Sequence, residues 1–126
     1  MAKNPKIHYT TAVYDHSVDG NVTVGTDLAL ADSGIVPGRS VIVSVVVETE
    51  TGITGASGGI DLLLDPTDGT TNKEIVSEFA VAAAGLVKDT AAGGAVVKES
   101  KFAIDATGSN ITAGKLNFLI GYTMGL

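Results

Sequence analysis

The segment VIVSVVVETE, residues 41–50, decides the fold class because it alternates as a strand does while its second face is only partly polar. Strict alternation puts four valines on one face, namely Val41, Val43, Val45 and Val47. Ile42 and Val46 then join Ser44 on the opposite face. We expect the valines to form the inner face of a packed strand. Glu48 and Glu50 mark where this strand leaves the apolar interior.

Short apolar segments with the same two-residue period recur along the chain, and 16 glycines in 126 residues separate them. The predicted strands lie near residues 8–14, 28–30, 39–50, 59–65, 74–87, 98–106 and 115–126. Alternation assigns several side chains to one face of their strands: Ile60, Leu62, Leu64, Phe102, Ile104, Leu116, Phe118, Ile120, Tyr122 and Met124. Seven or eight strands spaced by about 8 to 12 residues are typical of a β-sandwich or barrel. The break at Asp19, Gly20 and Asn21 predicts a tight turn or bulge.

The segment EIVSEFAVAAAGLV, residues 74–87, fits two kinds of secondary structure. Apolar residues recur at helical spacing, and Thr71 with Glu74 has the spacing of a capping box. The same segment also alternates through Ile75, Phe79 and Val81. Because every neighbouring segment alternates, we favour a strand and keep the helix as the alternative.

The composition excludes several classes of function. The chain has no cysteine, which excludes disulfides, thiolate catalysis and sulfur-ligated zinc. A net charge of −6 argues against a nucleic-acid-binding surface. No apolar run approaches the roughly 20 residues of a membrane span, and the amino terminus lacks the apolar segment of a signal peptide. We expect a soluble protein made in the cytoplasm, with no nucleic acid or membrane among its partners.

Charge is distributed unevenly along the chain. Lys3 and Lys6 occur in the first 14 residues, which contain no acid, and the rest of the chain carries a net charge of −8. We predict that residues 1–7 form an extended basic arm and that residues 8–126 form a single domain. Such an arm can lie across an acidic surface of its own subunit or of a neighbour. A loose, solvated terminus is the alternative.

One loop contains oxygen ligands of the kind that calcium binds. DPTDGTTNKE, residues 65–74, contains Asp65, Asp68, Asn72 and Glu74. Their spacing is not that of an EF-hand, and Asp-Pro and Asp-Gly are strong turn formers for local reasons. We interpret the segment as a connecting loop and predict no metal site, with an ion at Asp65, Asp68 and Glu74 as the alternative.

No group of residues predicts catalysis. His16 beside Asp15 lacks an accompanying nucleophile and oxyanion site. The GASGG segment, residues 55–59, lacks the Gly-Lys-Ser/Thr of a phosphate-binding loop and precedes a strand. We therefore predict a protein that is not an enzyme and that carries no cofactor.

The carboxy-terminal half resembles a family of small viral proteins. The resembling elements are GGIDLLLDPTDG at 58–69, FAVAAAG at 79–85 and KFAIDATGSNITAGKLNFLIGY at 101–122, which includes the turn at 112–115. In style and segment order this half, residues 58–124, is similar to the head decoration, or cement, proteins of tailed bacteriophages. The resemblance implies a jelly-roll-like antiparallel β-sandwich that sits as a trimer or other oligomer on the major capsid protein lattice.

Apolar residues on faces that alternation leaves wet indicate an interface. We predict an assembly interface formed by Lys3, Lys6, Ile42, Val46, Leu63 and Leu119. Together with the resemblance, this predicts a virion structural protein that oligomerises, with a trimer favoured, and stabilises the outer surface of a capsid. The alternative is a carbohydrate- or cell-surface-binding β-sandwich module of a fibre or adhesin.

Overall fold

Ten strands and one short helix make up the computed structural model, which describes residues 6–81, 84–85, 87–90, 94–96 and 98–124, with the backbone alone at 87–90. The strands are β1 Ile7–Asp15, β2 Leu28–Ala29, β3 Asp32–Ser33, β4 Ser40–Thr54, β5 Gly59–Pro66, β6 Lys73–Phe79, β7 Val87–Thr90, β8 Ala95–Val96, β9 Ser100–Thr107 and β10 Ala113–Met124. The helix α1 is His16–Asp19. None of the described residues belongs to a helix with the length and apolar character needed to cross a membrane.

Two antiparallel sheets form the sandwich. Sheet 1 has the order β3-β1-β10-β4-β7, with β8 also paired to β4, and sheet 2 has the order β2-β9-β5-β6. The long strands β1, β10 and β4 lie side by side in sheet 1. The chain passes between sheets at β4 and β5, which lie in different sheets. The predicted all-β, jelly-roll-like antiparallel fold is confirmed.

The core lies between the inner faces of the two sheets. Almost all the side chains that alternation grouped together are fully or almost fully buried: Ile60, Leu62, Leu64, Phe102, Ile104, Leu116, Phe118 and Ile120. Phe79 of sheet 2 meets Phe118 of sheet 1 edge to face, with ring centroids 6.4 Å apart. Each such large side chain contributes about 1.5 to 3 kcal/mol by leaving water. Met124, at the end of the same alternating series, is instead exposed.

A β-bulge in β4 changes the predicted pattern of residues 41–47. Tyr122 pairs with Ile42 while the next residue of β10, Gly121, pairs with Ser44, so Val43 is an extra residue in β4. The bulge reverses the alternation. Ile42 is therefore 1% exposed and lies in the core, and the expectation that it sits on the wet face is wrong. Val43, expected inside, is 39% exposed, whereas Val45 and Val47 are buried as predicted.

The segment 74–87 is not a helix where the structure describes it. Residues 74–79 belong to β6, which pairs with β5 in sheet 2, and Val87 begins β7 in sheet 1. The strand prediction is confirmed for 74–79. The chain changes sheets afterwards, through a described turn at 84–85, so the segment is two strands and not one.

The short helix α1 follows β1 directly. The turn or bulge that the sequence predicts at residues 19–21 begins at the last residue of this helix. Asp15 caps α1, since its Oδ1 accepts hydrogen bonds from the Ser17 N–H at 3.0 Å and the Ser17 hydroxyl at 2.7 Å. These bonds lower the pKa of Asp15 below its usual value. Gly20 ends the helix at φ +81°, a conformation that favours glycine.

Candidate assembly surface

Exposed apolar side chains concentrate on sheet 1. Five of the eight large hydrophobic residues that are exposed among the described residues lie on its adjacent strands β1, β4 and β10: Ile7, Tyr9, Val43, Leu119 and Met124. Their concentration on three neighbouring strands distinguishes them from scattered surface apolar residues, which need no explanation.

Four residues form a continuous strip on the outer face of sheet 1, which we call the outer patch: Ile7, Tyr9, Leu119 and Val46. Leu119 pairs with Val46 of β4 on one side and with Thr11 of β1 on the other. Tyr9 is 59% exposed, Ile7 45% and Leu119 40%, whereas Val46 is half-buried. The patch therefore spans three strands without a charged side chain.

Gly121 shapes the outer patch by the side chain that it lacks. It pairs with Tyr9, and a Cβ at this position would lie 3.2 Å from Tyr9 Cε1 and 3.4 Å from Ile7 Cγ2. The same Cβ would lie 2.5 Å from the Ser44 hydroxyl oxygen, closer than real Cβ atoms approach. The bare backbone of Gly121 thus lets Ile7 and Tyr9 lie flat over β10.

The other end of the same face is polar and internally paired. Lys115 Nζ lies 3.0 Å from Glu50 Oε2, and Asn117 Nδ2 donates to Glu48 Oε1 at 2.9 Å and Glu50 Oε1 at 3.2 Å. The bonds from Lys115 and Asn117 lower the pKa of Glu50, and the same contact with Glu50 raises the pKa of Lys115. This polar end borders the outer patch and limits its length along the strands.

The structure brings only part of the predicted interface together. Val46 and Leu119 are adjacent in the outer patch. Ile42 lies inside the core, as described above. Leu63 lies on the outer face of sheet 2, away from the patch, and is only 8% exposed. Lys6 is exposed immediately before β1.

The predicted arm overlaps the first strand. Ile7, which we placed in the arm, is the first residue of β1 and pairs with Thr123. Lys3 lies outside the described residues. Ile7 and Tyr9 of the outer patch were not among the predicted interface residues, although one signal was available: from Ile7 to Tyr14 the chain has no lysine, arginine or acidic residue. An uncharged strand near a terminus is a candidate for an exposed sheet edge.

The loop considered as an ion site is held by other contacts. Asp68 forms an ion pair with Lys98 at 2.9 Å and accepts from the Thr70 N–H and hydroxyl, which together hold its pKa well below the usual range. Asn72 donates to Asp27 at 3.0 Å. Within the described part of the chain, no three His, Asp or Glu side chains are grouped as metal ligands.

The histidines also have local contacts. The His16 Nε2 is 2.7 Å from Asn21 Oδ1, across the short helix and its following turn. Its neighbour Asp15 serves as the helix cap. His8 stacks on Tyr122, with ring centroids 5.5 Å apart. Both histidines thus contact polar or aromatic neighbours.

Comparison with known proteins identifies the fold. No family model matches the chain, and no curated protein matches its sequence. A chain in the capsid of Ralstonia phage GP4 superposes with a TM-score of 0.63 at 16% identity, covering 100% of this chain and 90% of that one. A chain in the capsid asymmetric unit of cyanophage Pam1 superposes with a TM-score of 0.56 at 18% identity, covering 97% and 86%. The fold is therefore one found in phage capsids.

Proposed function

We propose that the chain is a virion structural protein without enzymatic activity that binds the outer surface of a capsid lattice and stabilises it. The observation that carries this proposal is the match over the whole chain to chains from two phage capsids. Both matches also extend over most of the neighbouring chain, 90% in one case and 86% in the other.

The outer patch supports a role in assembly. Its apolar side chains are exposed on the isolated chain, and contiguous apolar surface of this kind on a small protein usually contacts another protein. We propose that the protein acts as a decoration, or cement, protein and that copies associate with one another, with a trimer favoured. Many identical contacts on a repeating lattice would then add through multivalency, without any single strong site.

The test uses virus particles produced from the genome that encodes this protein, assembled with and without it. Co-sedimentation measures binding of the protein to the particles, and the temperature of DNA release measures their stability. We expect saturable co-sedimentation and a higher release temperature for the decorated particles. Particles that bind no protein and open at the same temperature would contradict the proposed function.

The basic leader can be tested in the same assay. Since β1 begins at Ile7, a deletion that leaves the fold intact ends at Lys6. We expect the chain lacking residues 1–6 to keep its circular dichroism spectrum and to bind particles less tightly. Equal occupancy on the particles would remove the leader from the contact.

The alternative, a sugar-binding module, has little support from the aromatic residues. Of the six aromatic side chains, Tyr14, Phe79, Phe102 and Phe118 are buried and Tyr122 is half-buried. Tyr9 alone is exposed, and it lies on the outer face of sheet 1. Binding on a glycan array would support this alternative over the capsid role.

A further inference from the structure

The sandwich has two ends that differ in structure. At one end, which we call the helix end, β1 leads into α1, and Thr54 of β4 pairs with Ala113 of β10. At the other end, the loop end, β4 begins and the chain turns from β5 to β6. Nine residues of β1 separate the two ends, about 30 Å at about 3.3 Å per residue.

The two ends also differ in charge. The described acids toward the helix end include Asp15, Asp19, Asp32, Glu48, Glu50, Asp61, Glu78 and Asp105, and the base among them is Lys115. The other bases whose side chains are described lie at the loop end: Lys6, Arg39, Lys73, Lys98 and Lys101. The acids Asp65, Asp68, Glu74 and Glu99 accompany them. Contact between two helix ends therefore brings like charges together, whereas contact between a helix end and a loop end does not.

Val18 projects from the helix end as a firmly held apolar side chain. It is 68% exposed, more than any other large hydrophobic residue that the structure describes. Its helix is held on both sides, since Asp19 Oδ2 accepts from the Asp15 N–H at 2.9 Å and Asp19 Oδ1 from the Ala31 N–H at 3.0 Å. A β-branched side chain also has few rotamers. Little conformational entropy is therefore lost when Val18 enters a partner's surface.

Acidic residues flank Val18. Asp19 follows it directly, and Asp15 precedes it by about one helical turn. Two other exposed large apolar residues lie away from β1, β4 and β10, namely Val24 and Ile35, and neither has an acidic residue within two positions. A binding site for Val18 should therefore combine an apolar cavity with basic side chains.

A pocket at the loop end has this combination. Its volume is about 160 Å³, and a cavity of about 150 Å³ is large enough for benzene, so the smaller isopropyl group of valine fits. Leu64, Pro66 and Ala95 supply apolar surface, and Leu64 is buried. Lys73 and Lys98 also line the pocket, and both are exposed.

Both lysines can bind a further acceptor. The Lys73 Nζ donates to the Ala95 carbonyl oxygen at 3.1 Å, and the Lys98 Nζ lies 2.9 Å from Asp68 Oδ2. Because an ammonium group carries three donors, each lysine can also hold a carboxylate from another molecule. The loop-end pocket therefore matches an apolar side chain that has acids beside it.

We propose that Val18 of one copy occupies the loop-end pocket of the next copy, with Asp15 and Asp19 facing Lys73 and Lys98. Val18 and the pocket lie at opposite ends of one chain, so the occupant comes from another copy. The two contacting surfaces differ, which makes the contact heterologous, and heterologous contacts generate rings when the rotation between copies closes. Three copies joined in this way form a trimer.

The contact deepens the oligomerisation in the proposed function and rests on that part of it, not on attachment to a capsid. Association of the purified chain and binding to particles are measured separately. A chain that stays monomeric yet binds particles would overturn the contact and leave attachment to the capsid in place. A trimer that binds no particles would overturn the attachment and leave the contact in place.

Sedimentation equilibrium tests the apolar part of the contact. The unmodified chain should be a trimer, and Val18→Lys should be a monomer with an unchanged circular dichroism spectrum, because its ammonium group would meet Lys73 and Lys98. The matched control Val24→Lys alters another exposed valine and should remain a trimer. An unmodified chain that is monomeric at about 1 mM, or a trimeric Val18→Lys, would overturn the contact. A mass that rises without limit with concentration would overturn the closed ring.

Reversal of charge tests whether the two surfaces meet directly. Lys73→Glu should weaken association, whereas Lys101→Glu, an exposed lysine of the same end outside the pocket lining, should not. The double variant Val18→Lys, Lys73→Glu places opposite charges at the contact and should associate about tenfold more tightly than either single variant. A double variant no tighter than the single variants would overturn the pairing of Val18 with this pocket.

Discussion

The outer faces of the two sheets are built on the same alternation but have opposite character. On sheet 2 the outward pairs between β5 and β9 are Asp61 with Asp105, Leu63 with Ala103, and Asp65 with Lys101. On sheet 1 the outward pairs between β1 and β10 are Ile7 with Thr123, Tyr9 with Gly121, and Thr11 with Leu119. The first face surrounds its leucine with charges, and the second leaves its apolar residues together and uncharged.

This difference separates a charged face from the candidate assembly face. Asp61 and Asp105 oppose each other, yet each is held by backbone donors: Asp61 accepts from the Glu78 N–H at 2.8 Å and Asp105 from the Gly25 N–H at 3.1 Å. Charged side chains on a sheet resist association with another sheet. The outer patch has none, so burial against another protein is favourable there. Both faces cover the same core, and only their outward residues differ.

The largest expected effect is a difference in the free energy of unfolding between a substitution on the inner face of β4 and one on its outer face. Ile42→Ala removes a side chain from the closed core and should lower the free energy of unfolding by about 2 to 5 kcal/mol. Val46→Ala, four residues along the same strand and only half-buried, should cost less than about 1.5 kcal/mol. Urea unfolding of both variants measures the difference. Equal losses would show that the bulge at Val43 does not place Ile42 inside.

A somewhat smaller difference in stability is expected between substitutions on the outer face of sheet 2 and on the outer face of sheet 1. Leu63→Ala should destabilise the chain by about 2 kcal/mol, because Leu63 is buried although it points away from the core. Leu119→Ala should change the stability of the monomer by only about 0.5 kcal/mol and should instead weaken binding to particles or to other copies. Thermal unfolding and particle binding are measured on both variants. Impaired binding by Leu63→Ala at full stability would assign the interface to sheet 2.

Tyr14 offers a third test, on the inner face of the strand that carries Tyr9 outside. Its hydroxyl donates to the Gly20 carbonyl oxygen at 2.6 Å, so Tyr14→Phe should cost about 1 kcal/mol. Burial, and then the charges of Asp19 and Asp15, raise the pKa of Tyr14 to about 12.

The same residue predicts a dependence of stability on pH. The raised pKa means that the folded state favours the neutral phenol, so this contribution is complete below pH 10 and is lost as the pH rises toward about 12. Urea midpoints measured across this range should fall less for Tyr14→Phe than for the unmodified chain. An equal fall in both would remove Tyr14 from the effect.

The smallest effect concerns the polar end of sheet 1. Lys115→Gln removes the ion pair that lowers the pKa of Glu50, so the pKa of that carboxyl should move back toward its usual value. A carboxyl titration by NMR measures the change, and Lys101→Gln, on the other sheet, is the control. Because the lowered pKa stabilises the charged folded form, the contribution of the pair is lost as the pH falls below about 4.5. An unmoved pKa would mean that Asn117 alone sets it.

Much of the fold could be predicted because alternation is a local property of the chain. Leu116, Phe118 and Ile120 share a face whatever lies beside them, and the same holds for Ile60, Leu62 and Leu64. The short strands β3 and β8 were not predicted, since Asp32–Ser33 and Ala95–Val96 lie outside the segments in which apolar residues alternate. For 74–87 the period favoured a strand, but nothing local indicated that the chain changes sheets within it.

The candidate surface was predictable only in part. Val46 and Leu119 were named because they are apolar where alternation predicts polar residues, and they prove to be neighbours on sheet 1. Leu63 satisfied the same rule, yet it lies on the other sheet. The sequence could not show which outward leucine the fold would bury, since burial depends on residues that are distant along the chain.

The amino-acid sequence by itself determined that the chain is all β, which side chains share a face in each regular strand, and that charge divides between a basic leader and an acidic remainder. Those properties depend only on the order of residues that are close together along the chain. Only the tertiary structure decided that Ile42 faces inward, because a bulge depends on how β4 aligns with β10. It likewise decided that Ile7 and Tyr9 lie on an open edge, because the end of β3 is set by pairing across the sheet and not by local sequence.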